Sequence, residues 1–198
     1  MSGKTRESQR LPSSPSKIIA YIAIMAALGN TLAVLSTSLV KFGVSQVALD
    51  LSHVGTFLAA IPGGALVGSL TGALIGIYPA LYYGPLGMLG VWGLTLMLGK
   101  AMTGFFSGLV QRYLKRPLLS VSIGYLPESL FTIWVFLGLL PWFGIVFPVA
   151  LVFGILVKAW IEILFMAFVM ESVFLSRGIV QMLRTIFPRW DYKPLSEL

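Results

Sequence analysis

The chain has 198 residues, of which 57% are hydrophobic and only 11% charged, with a mean hydropathy of +0.91. An ordinary soluble domain carries about 25% charged residues, so this apolar surface exceeds what a soluble core hides and its solvent is lipid. The absence of cysteine excludes disulfides and thiolate metal centres, a single histidine excludes a multi-histidine metal site, and the net charge of +7 reads as a positive-inside bias rather than a nucleic-acid surface.

The stretch Met1–Lys17 is polar and basic, with Lys4, Arg6, Arg10 and Lys17, and is expected to be a cytoplasmic tail. The apolar run Ile18–Val40 is about 23 residues long, against the ~7–15 of a signal-peptide core, and reads as a retained first membrane helix. Lys41 to Leu49 is then an external loop, and Asp50-Leu51-Ser52 offers cap residues for a second helix. Pro62-Gly63-Gly64 interrupts that helix after about 12 residues, short of the ~20 of a full span. A third helix runs from Ala65 to near Pro79, and Tyr82-Tyr83-Gly84-Pro85 forms an external loop with interface aromatics. The fourth helix is expected over Leu89–Val110 and the fifth over Leu118–Leu139, with an outer turn at Pro141-Trp142-Phe143-Gly144. The sixth runs from Val146 to Leu175, and Arg177–Phe187 alternates basic and apolar residues as a helix lying on the inner membrane surface does.

Positive charge gathers at the N-terminus, at Arg112/Lys115/Arg116 and at Arg177/Arg184/Arg189/Lys193. Placing all three clusters inside gives an all-α integral membrane protein, a six-transmembrane-helix bundle over 18–175 with both termini cytoplasmic and an amphipathic cytoplasmic tail over 176–198. Small residues recur at helical spacing: Ala23 with Ala27, Gly29 with Ala33, and Gly64, Gly68, Gly72 and Gly76. Such stripes let helix backbones approach closely, either within the bundle or against a partner.

The charges inside the apolar runs are Lys100, Glu128, Lys158 and Glu162. Each costs about 2.5–3.5 kcal/mol at the centre of a bilayer on insertion scales, so each must meet an opposite charge, water or a ligand. Lys158 and Glu162 stand at i, i+4 and can pair along one helix, which is either a structural ion pair or the place where Lys158 meets an anionic solute. Lys100 and Glu128 are positioned for a cross-bundle structural or gating pair, or for ligation. Asp50 and Ser52 read as helix caps, and His53 as an external-end residue able to touch a solute. Asn30, Ser36 and Ser38 are polar positions able to face a cavity. Trp92, Tyr125, Trp134 and Trp160 could stack on a flat ring or anchor the interface. No nucleophile elbow, zinc-protease helix, phosphate loop or acidic diphosphate motif occurs, so no enzyme, cofactor or metal centre is expected.

The order of features resembles the substrate-binding S component of energy-coupling factor (ECF) vitamin transporters. The resemblance spans about residues 17–175. It rests on the alanine-rich first helix with Ala23-Ile-Met-Ala-Ala27, on Val47-Ala-Leu-Asp50-Leu-Ser52-His53, on the glycine series Ile61–Gly76, and on Phe153-Gly-Ile-Leu-Val-Lys158-Ala. Val54-Gly55 stands where the family often has proline, and Gly154-Ile155 where it often has asparagine before the sixth-helix lysine. The resemblance implies a subunit of a prokaryotic plasma membrane that captures a vitamin-like small molecule from outside. It also implies docking, through Ala23 and Ala27, on a membrane-embedded T component driven by two ATPase subunits. The residues implied or read as substrate-facing are Lys158, Asn30, His53, Trp134, Glu128 and Lys100. The competing class is a structural scaffold of the rod-shape-determining type, which needs no solute pocket.

Overall fold

A computed structural model describes residues 14–39, 50–87, 89–190 and 192. The expected N-terminal tail up to Ser13, the loop Lys41–Leu49 and the end of the C-terminal tail lie outside these residues, as does the side chain of Ser38.

The described residues form eight α-helices and no strands: α1 Pro15–Leu39, α2 His53–Ile75, α3 Ile77–Tyr83, α4 Leu94–Leu114, α5 Pro117–Gly124, α6 Leu126–Ile133, α7 Val149–Leu175 and α8 Arg177–Ile186. Five helical stretches are long and apolar enough to cross a membrane: Pro15–Thr37, His53–Tyr83, Gly90–Leu114, Pro117–Phe143 and Val149–Leu175. Large apolar side chains point outward along them; Phe153, Val157, Ile161, Phe165 and Phe168 expose half or more of their surface along α7.

The second stretch is not one rod. At Gly64 the backbone takes φ 77° and ψ −170°, a combination open almost only to glycine. Residues 60 and 68 would stand ~12 Å apart along a continuous helix, yet a Cβ built on Gly68 would lie 2.6 Å from the Ala60 Cβ. Likewise Gly55 approaches Ile75, whose Cδ1 would be 3.0 Å from a built Cβ, instead of the ~30 Å of a straight helix. The chain therefore doubles back at the Pro62-Gly63-Gly64 break, and 53–63 and 65–75 run antiparallel.

Both arms lie against α1. Tyr21 donates its hydroxyl to the Leu58 carbonyl at 2.8 Å, and a Cβ on Gly29 would be 3.0 Å from the Ser52 carbonyl oxygen. The first arm therefore begins level with the middle of α1 and descends toward its start. The second arm ascends with α1: the Asn30 amide donates to Leu74 O at 2.9 Å, and the Thr37 and Tyr78 hydroxyls share a hydrogen bond of 2.6 Å. Gly68 and Gly72 rest on the α4 backbone at Gly104 and Lys100, and Gly108 rests in turn on Gly64. Most of the glycine stripe thus serves internal packing, where the absence of side chains lets two backbones meet.

The fourth apolar stretch is also segmented, where the sequence suggested one helix. α5 gives way at Tyr125 just before Pro127, whose missing N–H removes a helical hydrogen bond, and a π-helical turn over Trp134–Leu139 precedes the turn at Pro141–Gly144. That turn closes at Gly144 with φ 76°. After α7, α8 tucks Val180 and Leu183 into the core formed with Tyr21, Phe174, Phe187 and Tyr192, and leaves Arg177, Gln181 and Met182 outside. Its apolar edge is thus covered by the bundle itself.

The hairpin predicts a contrast between two glycines with equally open surroundings, since nothing lies within 4 Å of a Cβ built on Gly64 or Gly154. Gly154 is helical within α7, so Gly154→Ala should be neutral or stabilise by up to ~1 kcal/mol, whereas Gly64→Ala should cost ~1–3 kcal/mol through backbone strain alone. Thermal unfolding in detergent reads both; equal tolerance would mean that the chain does not turn at Gly64.

Candidate functional site: a charged network where the first hairpin arm begins

Lys100, Glu128 and Glu162 each lie within two residues of the centre of the spans Gly90–Leu114, Pro117–Phe143 and Val149–Leu175. The fold brings them to one place, beside the start of the 53–63 arm. Lys100 is 3% exposed and donates to Asp50 Oδ2 at 2.6 Å and to Ser52 Oγ at 2.7 Å, with His53 Nε2 at 3.2 Å. Ser52 in turn donates its N–H and hydroxyl to Asp50 Oδ1, at 3.1 and 2.5 Å. The Ser52 side chain does not cap the helix that follows, contrary to the sequence expectation, and is held between Asp50 and Lys100; Asp50 accepts from Lys100 and from the Ser52 N–H.

The expected Lys100–Glu128 pair does not form. The lysine extends to the residues ahead of the hairpin, while Glu128 Oε2 accepts the Thr103 hydroxyl and Oε1 stands 3.8 Å from His53 Nε2. Thr103 has no counterpart among the sequence candidates. The signal for it was its place one turn from Lys100, on the α4 face that also carries Ser107 and Gln111; all four are buried.

His53, read as an external-end residue, is instead 5% exposed in the middle of the bundle, stacked on Phe57 and edge-on to Tyr125. Its Nδ1 is buried without a hydrogen-bond partner. On α7, Lys158 and Glu162 do pair, with Nζ and Oε1 3.1 Å apart, and Glu162 Oε2 accepts the backbone N–H of Asp50 at 3.2 Å. Ser36 lies on the same side, with its Oγ 3.5 Å from the Leu51 N–H. The network therefore joins the 50–53 segment to α1, α4, α6 and α7. Its most exposed member is the Asp50 side chain, 41% exposed.

The other sequence candidates fall elsewhere. Asn30 spends its side chain on backbone: it donates to Ala26 O and Leu74 O and accepts from the Tyr78 N–H, clasping the α2–α3 junction to α1. Trp134 is 56% exposed and lines a shallow apolar groove with Gly138, Leu139, Trp142 and Phe143, apart from the charged residues. Trp160 packs edge-on against Tyr125, and Trp92 lies on Phe143. Ala23 and Ala27 are exposed on the outer face of α1, whereas Gly29 and Ala33 face inward. Beside Glu128 a small cleft between α4 and α6 is bounded by Thr95, Leu96, Gly99, Phe131 and Thr132.

Among the described residues no group of three or more metal-ligating side chains is present. Comparison with protein families, with curated proteins and with solved structures finds no match to this chain.

Proposed function

We propose that this is the solute-binding subunit of an importer of the energy-coupling factor type, taking a vitamin-like small molecule from outside. The observation that carries the reading is the charged network at the start of the 53–63 arm. Broken helices that begin at mid-depth, with charged groups at the break, are the arrangement by which membrane transporters build solute sites. A structural scaffold would need the charges only to be matched, whereas here the Asp50 side chain of the network is 41% exposed.

The hairpin supports six crossings with both termini inside. The 53–63 arm starts from Asp50 at mid-depth and counts as part of one inward crossing, and 65–83 as one outward crossing. With the three later apolar stretches as further crossings, Arg112, Lys115 and Arg116, and also α8, would fall on the side of the N-terminus, in keeping with the positive-inside rule for a prokaryotic plasma membrane. Single cysteines at Ser14 and Lys115 should label from the same side and one at Leu86 from the other. Labelling of Ser14 and Lys115 from opposite sides would reduce the count to five.

The exposed Ala23 and Ala27 give α1 a smooth outer face on which a helix of a T component can dock closely, with ATPase subunits behind it. Two variants separate docking from capture, each read by uptake in cells and by the small molecule that the isolated subunit retains through purification. Ala27→Trp should abolish uptake and leave retention intact. Lys158→Met combined with Glu162→Gln removes an ion pair without leaving a lone charge, and should weaken retention about tenfold or more. A folded double variant that retains the molecule as tightly as the parent would make the pair structural and remove it from the site.

A further inference from the structure

We propose that the end of the bundle where α8 packs is a binding surface for anionic lipid, with the phosphodiester headgroup of a lipid such as phosphatidylglycerol as the group recognised. The surface stands apart from the solute site and requires only that the apolar stretches lie in a membrane. Four separate parts of the chain meet there. α1 arrives through Tyr21, whose ring is edge-on to Phe187 at 5.2 Å, and Lys17 stands one turn before Tyr21. The end of α7 arrives through Phe174, whose ring meets those of Trp190 and Tyr192. α8 is tied to the same place by Arg184, whose guanidinium donates to the Tyr192 carbonyl at 2.5 Å. The turn between α4 and α5 joins through the Leu118 N–H, which donates to Glu171 Oε2 on α7 at 2.9 Å.

The meeting gathers charge of one sign. The α4–α5 turn carries Arg112, Lys115 and Arg116, and α8 with the chain just after it carries Arg177, Arg184 and Arg189. All but Arg184 are exposed, as is Lys17. Among the described residues the one carboxylate at this end is Glu171, which accepts the Leu118 N–H. Asp191 and Lys193 flank Tyr192 in the sequence with opposite charges and lie outside the described residues. The other end of α4, where Trp92 rests on Phe143, is the reverse: residues 76–99 and 129–157 hold no charged side chain. One end of the molecule therefore carries a surplus of positive charge that an anionic partner complements.

The neighbours of these cations favour lipid as that partner. Large apolar side chains are exposed within the same segments: Tyr113, 72% exposed, and Leu114 stand between Arg112 and Lys115, and Leu175 and Met182 stand on either side of Arg177. An anionic lipid meets both features, its phosphate facing the cations and its acyl chains the apolar groups. An acidic protein or a free phosphate meets only the first. Most of the cations are arginine, whose planar fork of N–H donors matches phosphate oxygens in pairs.

The test follows the thermal unfolding midpoint of the full chain in neutral detergent at low ionic strength. The probes are phosphatidylglycerol, phosphatidylcholine with the same acyl chains, glycerol phosphate and polyglutamate. Phosphatidylglycerol should raise the midpoint at concentrations where the other three do not, and added salt should weaken its effect. Arg112→Gln combined with Arg116→Gln should lower its apparent affinity about tenfold or more. Arg189→Gln, at an exposed position on a different element, should lower it about fivefold, which keeps the proposal testable if the double variant does not fold. An equal response to phosphatidylcholine would reduce the effect to acyl chains. A matching response to glycerol phosphate or to polyglutamate would make this a surface for free phosphate or for an acidic protein. An undiminished phosphatidylglycerol response in the folded variants would place the lipid elsewhere. Each of these three results overturns the proposal, and none bears on the solute site, which is read by the molecule retained through purification.

Discussion

Charge inside an apolar bundle must be matched, and most of this structure follows from how that is done. A single unmatched charge at mid-bilayer costs about 2.5–3.5 kcal/mol, a large fraction of the ~5–15 kcal/mol that holds a typical fold together. Lys100 is almost fully buried and is answered by the Asp50 carboxylate at 2.6 Å. That pairing requires Asp50, which precedes a helix, to sit at mid-depth rather than at the surface. The first hairpin arm consequently starts in the middle of the bundle. Glu162 fixes the same point from the other side, through the backbone N–H of Asp50.

Glycine makes this geometry possible. For the arm to end and return within the bundle, the backbone must turn at Gly64 with a conformation closed to other residues. The returning arm must then fit between the first arm and α4. It does so because Gly68 and Gly72 bring it onto the α4 backbone, with Gly104 supplying the matching gap. A bulkier residue at any of these contacts would push α4 outward and carry Lys100 away from Asp50. Helix packing and charge matching are thus one constraint seen from two sides.

Much of this is legible in the chain itself. The apolar runs, the break at Pro62-Gly63-Gly64 and the placement of Lys100, Glu128 and Glu162 at mid-span follow from composition and spacing, because burial and helix propensity act locally. Partner choice does not. Asp50-Leu51-Ser52 has the composition of a helix cap, and only the depth at which the arm begins, set by contacts with Met25 and Gly29 on α1, turns these residues toward Lys100. The same depth carries His53 from an expected boundary into the core. Asn30 is polar on an apolar helix, which could have meant a solute contact; the discontinuity at Gly76 instead supplies the backbone groups that consume its amide. Trp134 could not be oriented from sequence because the π-helical turn that begins there shifts the phase of the helix.

The central claim is that the network around Asp50, Lys100 and Glu162 is where a solute binds, rather than a latch that only holds helices together. Hydrogen–deuterium exchange over residues 50–57 addresses it most directly, comparing protein that still carries its copurified small molecule with protein stripped of it by extensive washing. The 50–53 segment belongs to the network and has an exposed edge at Asp50, so a bound solute should slow exchange there while leaving α8 and the C-terminal ends of α4 and α7 unchanged. Identical exchange over 50–57 in the two preparations, with the molecule shown to be present in one and absent from the other, would contradict the account.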